Sequence, residues 1–469
     1  MKLKHAVVKP LLKKLDLDLV MKNYRPVSNL PFLGKALEAA VIMQYEEHLK
    51  ENSLADVKQS AYKKYHSTET LLLKIHNDIM ASLDKGEVVM LVLLDLSAAF
   101  DTIDHKIMLD RLNKKYGIEG TALKWFESYL QHRTQSVLVN DKESLRKELK
   151  FGVPQGSKLG PVLFNAYIAP LSNVAEKNGV IDQKYADDEQ LILSFKPESQ
   201  IDTEQAFAKM EKCIDDIRTF LHDNKLCNNS DKTEFMVIGS KVNLKKLGPK
   251  SIIVSNAHIT PVDKVKNLGV IFDRNMTMEK QVNSMCKKAF YNIKNIAHIR
   301  KSLSKDDTKT AVHALVTPHL DYGNALLYGA NKKLQDKLQV AQNSAARLVE
   351  RLKKHDRISH VRKQLHWLPV DARIKFKILN ITWKALNDKA PKYIQDLLTN
   401  STSDLNLRSN HQKLLKMPRI CNKYGERAFS YAGPTLWNSL PYDLRNINSN
   451  ALFRNKLKTH LFHNSYLNP

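Results

Sequence analysis

The seven residues Val88 to Leu94, VVMLVLL, are apolar without interruption and end at Asp95. A run this short and this rich in β-branched and aliphatic side chains has no polar face to give to solvent. It therefore predicts a strand buried on both sides, with a carboxylate at its end. Such a strand needs helical layers around it, and the flanking residues supply them. "NYRPVSNLPFLGKALEAAVIMQYEEHLKENSL" reads as a Pro-marked loop and then an amphipathic helix, with Leu37, Val41, Tyr45 and Leu49 at helical spacing. A second helix over 67–84 is opened by Ser67 or Thr68, with Glu69 or Thr70 behind. Helices follow over 104–116 and 120–131, strands in "QSVLVN" and "RKELKFGVPQGS", and one helix over 160–177.

Residues 180–195, "VIDQKYADDEQLILSF", predict a hairpin whose turn carries Asp187, Asp188 and Glu189. If that hairpin lies beside the Val88 strand in one sheet, Asp95, Asp187 and Asp188 converge at a single rim. Like charges a few ångströms apart oppose one another's ionisation, so the cluster calls for cations. Mg²⁺ favours hard oxygen ligands and keeps positions open for water and substrate phosphates. Two such ions can activate an attacking oxygen and stabilise a leaving one in phosphoryl transfer.

Farther along, "TEQAFAKMEKCIDDIRTFLHDNKL" predicts a long amphipathic helix, "KTEFMVIGS" a strand and "HITPVDKVKNLGVIFD" short strands. Basic helices then dominate. Val282, Met285, Ala289, Ile293 and Ile296 mark one apolar face, and Leu334, Leu338, Ala341, Ala345 and Leu348 mark another. The polar stretch 399–412 reads as a linker to a small C-terminal piece.

"LVLLDLSAAFDTIDH", "GVPQGSKLGPVLFNAYIAPL" and "KYADDEQLILSF" stand in the order and spacing of palm motifs A, B and C of reverse transcriptases. The set resembles the non-LTR (LINE-type) retrotransposon kind, of jockey-like and chicken-repeat-like lineages. The likeness extends to "KNYRPVSNLPFLGKALE", "QSAYKKYHSTETLLLKIHNDI", "NNSDKTEFMVIG" and "VKNLGVIFD". It also reaches "LHWLPVDARIKFKILNITWKALNDKAP" and "GPTLWNSLP" in the tail. The resemblance implies an α/β (α+β) fold: a right-handed polymerase with fingers, an RRM-like antiparallel palm sheet, a helical thumb and a basic helical C-terminal tail. Boundaries follow as 1–87 for an N-terminal extension and fingers, and 88–244 for the palm with part of the fingers, the polymerase core running over about 20–275. Residues 245–398 would hold the primer grip, thumb and basic helices, and 399–469 the small tail.

The same resemblance implies roles. Asp95 and Asp187 would bridge two Mg²⁺ ions, with Mn²⁺ as a substitute, and Asp188 would complete the catalytic carboxylates. Lys232 in "SDKTEF" would act as general acid toward the leaving pyrophosphate. Phe100 would sit under the sugar of the incoming dNTP and clash with a 2′-OH. Gln155 would pack on that nucleotide, with Gly152 and Gly156 allowing close backbone approach. Lys63 stands where relatives carry an arginine for the triphosphate, which keeps the charge and loses the bidentate fork. Leu268, Gly269 and Val270 would form the primer grip. Three positions depart from the pattern without removing a metal ligand: Lys158 for an apolar residue, Glu189 for a small polar one, and Ala61-Tyr62 for a Gly-Phe-like pair. Strand alternation is expected to turn Glu189 away from the site.

Charge narrows the partners. Residues 1–240 hold 33 Lys+Arg against 34 Asp+Glu, and residues 241–469 hold 41 against 15, so the whole excess of +25 lies in the second half. That is the footprint of a phosphate-backbone binder, which the resemblance implies to be an RNA template with a DNA primer. No membrane partner is expected, because no apolar run is long enough to span one, and no secretory signal opens the chain. An intracellular location, cytoplasm or nucleus, follows. The four cysteines are far apart, without a CxxC pair, and read as reduced thiols rather than a zinc site. The motifs arrive without an apurinic-type endonuclease or RNase H segment, and the abrupt start at "HAVVKPLLKK" leads us to expect a 5′-truncated copy. The competing readings are a nucleotidyl cyclase on a similar palm, which "PQG" and the primer-grip match oppose, and a catalytically decayed relic that only binds nucleic acid.

Overall fold

The computed structural model describes residues 2–14, 16–97, 100–228, 233–248, 250–254, 257–401 and 412–467. Its centre is the strand that the apolar run predicts, which continues past Asp95 to Ser97. Two strands form at the N-terminus, β1 (His5–Leu12) and β2 (Tyr24–Asn29), and the central strand is β3 (Val88–Ser97). Beyond it come β4 (Thr134–Val139), β5 (Lys142–Glu143) and β6 (Lys147–Glu148). The acidic hairpin is β7 (Ile181–Tyr185) and β8 (Asp188–Phe195), followed by β9 (Cys227–Asn228) and β10 (Glu234–Ile238). The order β10-β3-β8-β7, antiparallel throughout, makes the palm sheet, and β9 pairs with the end of β3.

Alternation sends the residues of β3 to two separate cores. Val88, Met90, Val92 and Leu94 pack with Leu191 and Leu193 against helices α3 (His105–Lys114), α4 (Gly120–Leu130), α5 (Leu159–Ile168), α6 (Leu171–Lys177) and α7 (Gln200–Asp223). Val89, Leu91 and Ile192 face the opposite core, which includes Leu71, Leu72 and Ile75 of α2 (Thr68–Asp84). Ser67 caps α2 in a capping box with Thr70. The single helix expected over 160–177 is instead α5 and α6. Pro170, with no N–H to donate and a ring that blocks the preceding turn, separates them.

A second sheet joins the chain's beginning to the segment after α4. It has β2 antiparallel and β4 parallel to β1. The helix α1 (Phe32–Glu51) follows β2. Pro10 and Pro26 face one another across β1 and β2, beyond the His5–Val8 stretch that pairs with β4, so no ladder bond is lost where both neighbours are present.

After the short α8 (Lys241–Leu247) come the hairpins β11 (Ile252–Val254) with β12 (Ala257–Ile259) and β13 (Lys264–Asn267) with β14 (Val270–Asp273). The helices that follow, where the thumb is expected, are α9 (Glu279–Ile299), α10 (Lys305–Leu315), α11 (Thr317–Asp321) and α12 (Lys332–Glu350), then α13 (Ser359–Gln364), α14 (Val370–Leu386) and α15 (Lys392–Gln395). The tail adds α16 (Phe429–Asn438), α17 (Tyr442–Arg445) and α18 (Asn450–Tyr466).

Of the stretch 399–412 expected as a linker, residues 402–411 lie outside the described residues. Residues 412–467 share one core with the thumb. Trp383 of α14 stacks on Phe453 of α18 with ring centroids 5.7 Å apart, and Trp437 packs on Phe453. Polar contacts reach α2 as well: Asp84 accepts from the backbone N–H groups of Cys421 and Asn422, and Asn77 Oδ1 accepts from Ser430 N–H at 2.9 Å. A polar stretch reads as a linker only where the residues beyond it lack an apolar surface to cover, and Trp437, Phe429 and Phe453 have one.

Candidate active site

The hairpin register decides the site. Tyr185 pairs with Asp188, leaving Ala186 and Asp187 as a two-residue loop, and across the next ladder Asp95 pairs with Asp188. Side chains directly opposite on antiparallel strands have Cβ atoms about 4.5–5.5 Å apart and share a face. Asp95 and Asp188 thus stand side by side at the rim, with Asp187 in the adjoining loop. Partial burial, with the charges of Asp187 and Asp95, raises the Asp188 carboxyl to about 6. Among the described residues no three His, Cys, Asp or Glu side chains form a ready-made metal cage. The donors fit a hard divalent cation nonetheless, because all three are carboxylates and their mutual repulsion is what a cation relieves.

A cleft of about 440 Å³ opens beside them, lined by Asp95, Asp188 and Gln190 on one side and Lys266, Asn267 and Leu268 on the other. The latter belong to the β13–β14 hairpin, tied to the palm where Asn267 Nδ2 donates to Gln190 Oε1 at 2.7 Å. Leu268 and Gly269 form its loop, both with positive φ (42° and 88°), as a tight two-residue turn requires. Val270 is fully buried in the thumb core, so Leu268 and Gly269 are the surface of this turn.

Phe100 lies against Phe164 of α5, centroids 5.0 Å apart. Its carbonyl accepts from Val153 N–H at 2.9 Å, which fixes the segment before Gln155. Gln155 Nε2 donates to Asp101 Oδ2 at 2.8 Å, and its carbonyl accepts from Ser28 N–H at 2.7 Å. Gly156 has φ +137°, and a Cβ there would meet the Ser28 carbonyl at 2.3 Å. Glycine is required at this approach. Glu38 of α1 caps the start of α5, accepting from Lys158 N–H at 2.6 Å and from the Tyr129 hydroxyl at 3.0 Å. Lys158 therefore contributes through its backbone, while its side chain is exposed.

Lys63 does not project freely toward the carboxylates. Its ammonium donates to the Asp56 carbonyl, and burial lowers its pKa. The neighbouring Tyr62, with φ +60°, lies within the field of Asp187, which together with burial raises its hydroxyl. Lys232 lies outside the described residues.

Glu189 turns away from Asp95 and Asp188, as alternation requires, yet it is only 3% exposed. Sequence reasoning missed its partner. Lys184 stands opposite Glu189 across the hairpin and is itself buried, with Nζ 3.1 Å from Asp56 Oδ2 and 3.3 Å from Asp182 Oδ2 and a hydrogen bond to Ser172 Oγ. Burial alone would lower the Lys184 pKa. Glu189, Asp56 and Asp182 outweigh it and keep the ammonium charged. Burial pushes the Glu189 carboxyl well above its ordinary range, against the opposing pull of Lys184, and its Oε1 has no hydrogen-bond partner. The signal was available in the register. A two-residue loop at Ala186-Asp187 forces the pairing of 184 with 189.

An antiparallel palm sheet with paired aspartates at its rim, a glycine-bearing turn from motif B and a helical thumb are the parts of the right-handed polymerase fold. Residues 11–272, more than half of the chain, match the family described as reverse transcriptase (RNA-dependent DNA polymerase), and the chain belongs to that family. It is 25% identical to the probable RNA-directed DNA polymerase from transposon BS of Drosophila melanogaster, over 70% of this chain and 36% of that one. It is 24% identical to the RNA-directed DNA polymerase from mobile element jockey of Drosophila funebris, over 73% and 37%. The chain thus spans little more than a third of the length of these curated relatives. Among solved structures it is similar to apo telomerase from Candida tropicalis, at 9% identity, covering 80% of this chain and 63% of that one with a TM-score of 0.43.

Proposed function

We propose that this chain is an RNA-directed DNA polymerase of a jockey-like retrotransposon, adding dNTPs to a primer 3′-OH on an RNA template. The observation that carries the reading is the in-register pair Asp95 and Asp188, with Asp187 beside it, facing a cleft whose far wall is the β13–β14 hairpin. Asp95, Asp187 and Asp188 would hold the divalent ions, Mg²⁺ or Mn²⁺. When bound, such ions neutralise phosphate charge and activate the attacking oxygen.

The remaining tasks fall to the chain's own residues. Phe100, braced by Phe164, bounds the sugar position and disfavours a 2′-OH. Gln155 and Gly156 carry the incoming nucleotide at a backbone held by Ser28. Leu268 and Gly269 support the primer end. Exposed lysines of α9, among them Lys280, Lys287, Lys288 and Lys294, suit a duplex gripped through its phosphates and shape. Lys232 is assigned the proton to the leaving pyrophosphate on the motif alone. An intracellular location accords with such substrates.

One observation favours the second reading, a decayed relic that binds nucleic acid without copying it. Lys63 is held by the Asp56 carbonyl instead of standing free for a triphosphate. Purified chain with an annealed RNA template, a DNA primer, dNTPs and Mg²⁺ separates the two. Primer extension supports the polymerase, and retained duplex binding without extension supports the relic.

A further inference from the structure

The loop bearing Asp187 is strained. Ala186 has φ +57°, a left-handed conformation that costs a non-glycine residue about 1 kcal/mol and that two-residue hairpin loops commonly fill with glycine. Something outside the hairpin must hold it there, and the hairpin's free edge shows what does. Residues 58–60 run parallel to the edge strand β7. Lys184 N–H donates to the Lys58 carbonyl at 3.0 Å, and Ser60 N–H donates to the Lys184 carbonyl at 2.9 Å. Between them, the fully buried side chain of Gln59 reaches the loop. Its Oε1 accepts from Ala186 N–H at 2.9 Å and from Ala61 N–H at 2.9 Å, and its Nε2 donates to the Ala186 carbonyl at 3.2 Å.

One amide therefore holds both polar backbone groups of the residue that precedes Asp187. A carboxamide can do this because it carries an acceptor and a donor side by side, and its oxygen has two lone pairs for two donors. Neither a carboxylate nor an aliphatic chain of the same length can make all three bonds. The third bond, to Ala61, ties the same side chain to the segment that holds Tyr62 and Lys63.

We propose that Gln59 is a positioning residue for the catalytic turn: it fixes the left-handed Ala186, and through it the direction of Asp187 relative to Asp188 and Asp95. The proposal rests on the polymerase reading for its kinetic consequence, and its structural half stands without it. Displacement of a reacting-site group by about 1 Å costs on the order of 100-fold in rate. Gln59→Met, which keeps length and removes all three bonds, is therefore expected to lower kcat about 10- to 100-fold. It should leave the KM for dNTP within about threefold and raise the Mg²⁺ concentration for half-maximal rate. Gln59→Glu, which keeps the two accepted bonds, is expected to fall between parent and Gln59→Met.

The experiment pairs these kinetics with residue-resolved hydrogen–deuterium exchange on the full chain. Exchange at the Ala186 and Ala61 amides should rise more than about tenfold in Gln59→Met, while the β7, β8 and β3 amides keep their parental protection. Equal exchange at Ala186 in parent and variant overturns the clamp, and so does a loss of protection spread evenly over the sheet. A loosened Ala186 with kcat and Mg²⁺ dependence unchanged overturns the positioning role. If the parent chain extends no primer, the polymerase reading fails by itself, and the exchange data still decide whether Gln59 holds the turn.

Discussion

Replacing Lys184 removes a buried positive charge from a cluster of carboxylates. Its buried ammonium lies 3.1 Å from Asp56 and 3.3 Å from Asp182, with Glu189 opposite it on the hairpin. Lys184→Met keeps the stem's volume and removes the charge. Asp56 and Asp182 then lose their ion pairs with a buried partner, a situation that costs about 3–5 kcal/mol. Against a typical domain stability of about 5–15 kcal/mol this is a large fraction. With a urea dependence of about 3 kcal/mol per M, the unfolding midpoint should fall by about 1–1.7 M. Glu189→Gln provides the internal control. Burial raises the Glu189 carboxyl, so its amide isostere gives up less charge than loss of the Lys184 ammonium does, and the midpoint should move by less than in Lys184→Met. Adding Asp182→Asn to Lys184→Met should recover part of the loss, since one uncompensated carboxylate is gone. Urea unfolding followed by tryptophan fluorescence and circular dichroism reads all four proteins. A Lys184→Met chain as stable as the parent, or a Glu189→Gln chain as damaged as Lys184→Met, would refute the charge assignment.

Other outcomes follow from the rim and from motif B. Phe100→Ala should raise rNTP use relative to dNTP by about 10- to 100-fold in single-nucleotide incorporation, with dNTP incorporation much less affected. Gly156→Ala, whose Cβ would press on the Ser28 carbonyl, should lower the thermal midpoint and reduce dNTP kcat about tenfold or more. Asp188 titrates at about 6 in the folded chain, above the ordinary carboxylate value of 3.8. The folded state therefore holds a proton that the unfolded chain has released, and stability declines as the pH rises from about 4 through 6. In a chelating buffer Asp188→Asn should raise the thermal midpoint at pH 7.5, and the gain should shrink toward zero as the pH falls to 4.

The site's core was legible because its determinants are local. A buried run ending in Asp95 and a hairpin ending in Asp187-Asp188 need only strand alternation and one pairing to converge. Register arithmetic on the same hairpin would also have found Lys184 opposite Glu189. Long-range partners were not legible. The pairing of β1 with β4 joins residues 5–8 to 134–137, and nothing near "HAVVKPLL" announces it, since Pro10 argues against a strand. Gln59 reads as one polar residue in a loop until the edge of β7 shows what it touches. The break between α5 and α6 was readable at Pro170, where the apolar periodicity on both sides hid it. The tail reads as separate by its polar linker, although Trp437 and Phe453 already required a core to enter.

The role proposed for Asp95, Asp187 and Asp188 is that of a metal-dependent polymerisation site. It is tested most directly by single-turnover incorporation of one dNTP into a DNA primer on an RNA template, comparing the parent chain with Asp187→Asn plus Asp188→Asn at equal duplex occupancy. Mg²⁺-dependent incorporation by the parent is expected, with a loss of at least about 100-fold in the variant and duplex affinity preserved. Incorporation that survives the double substitution would contradict that role.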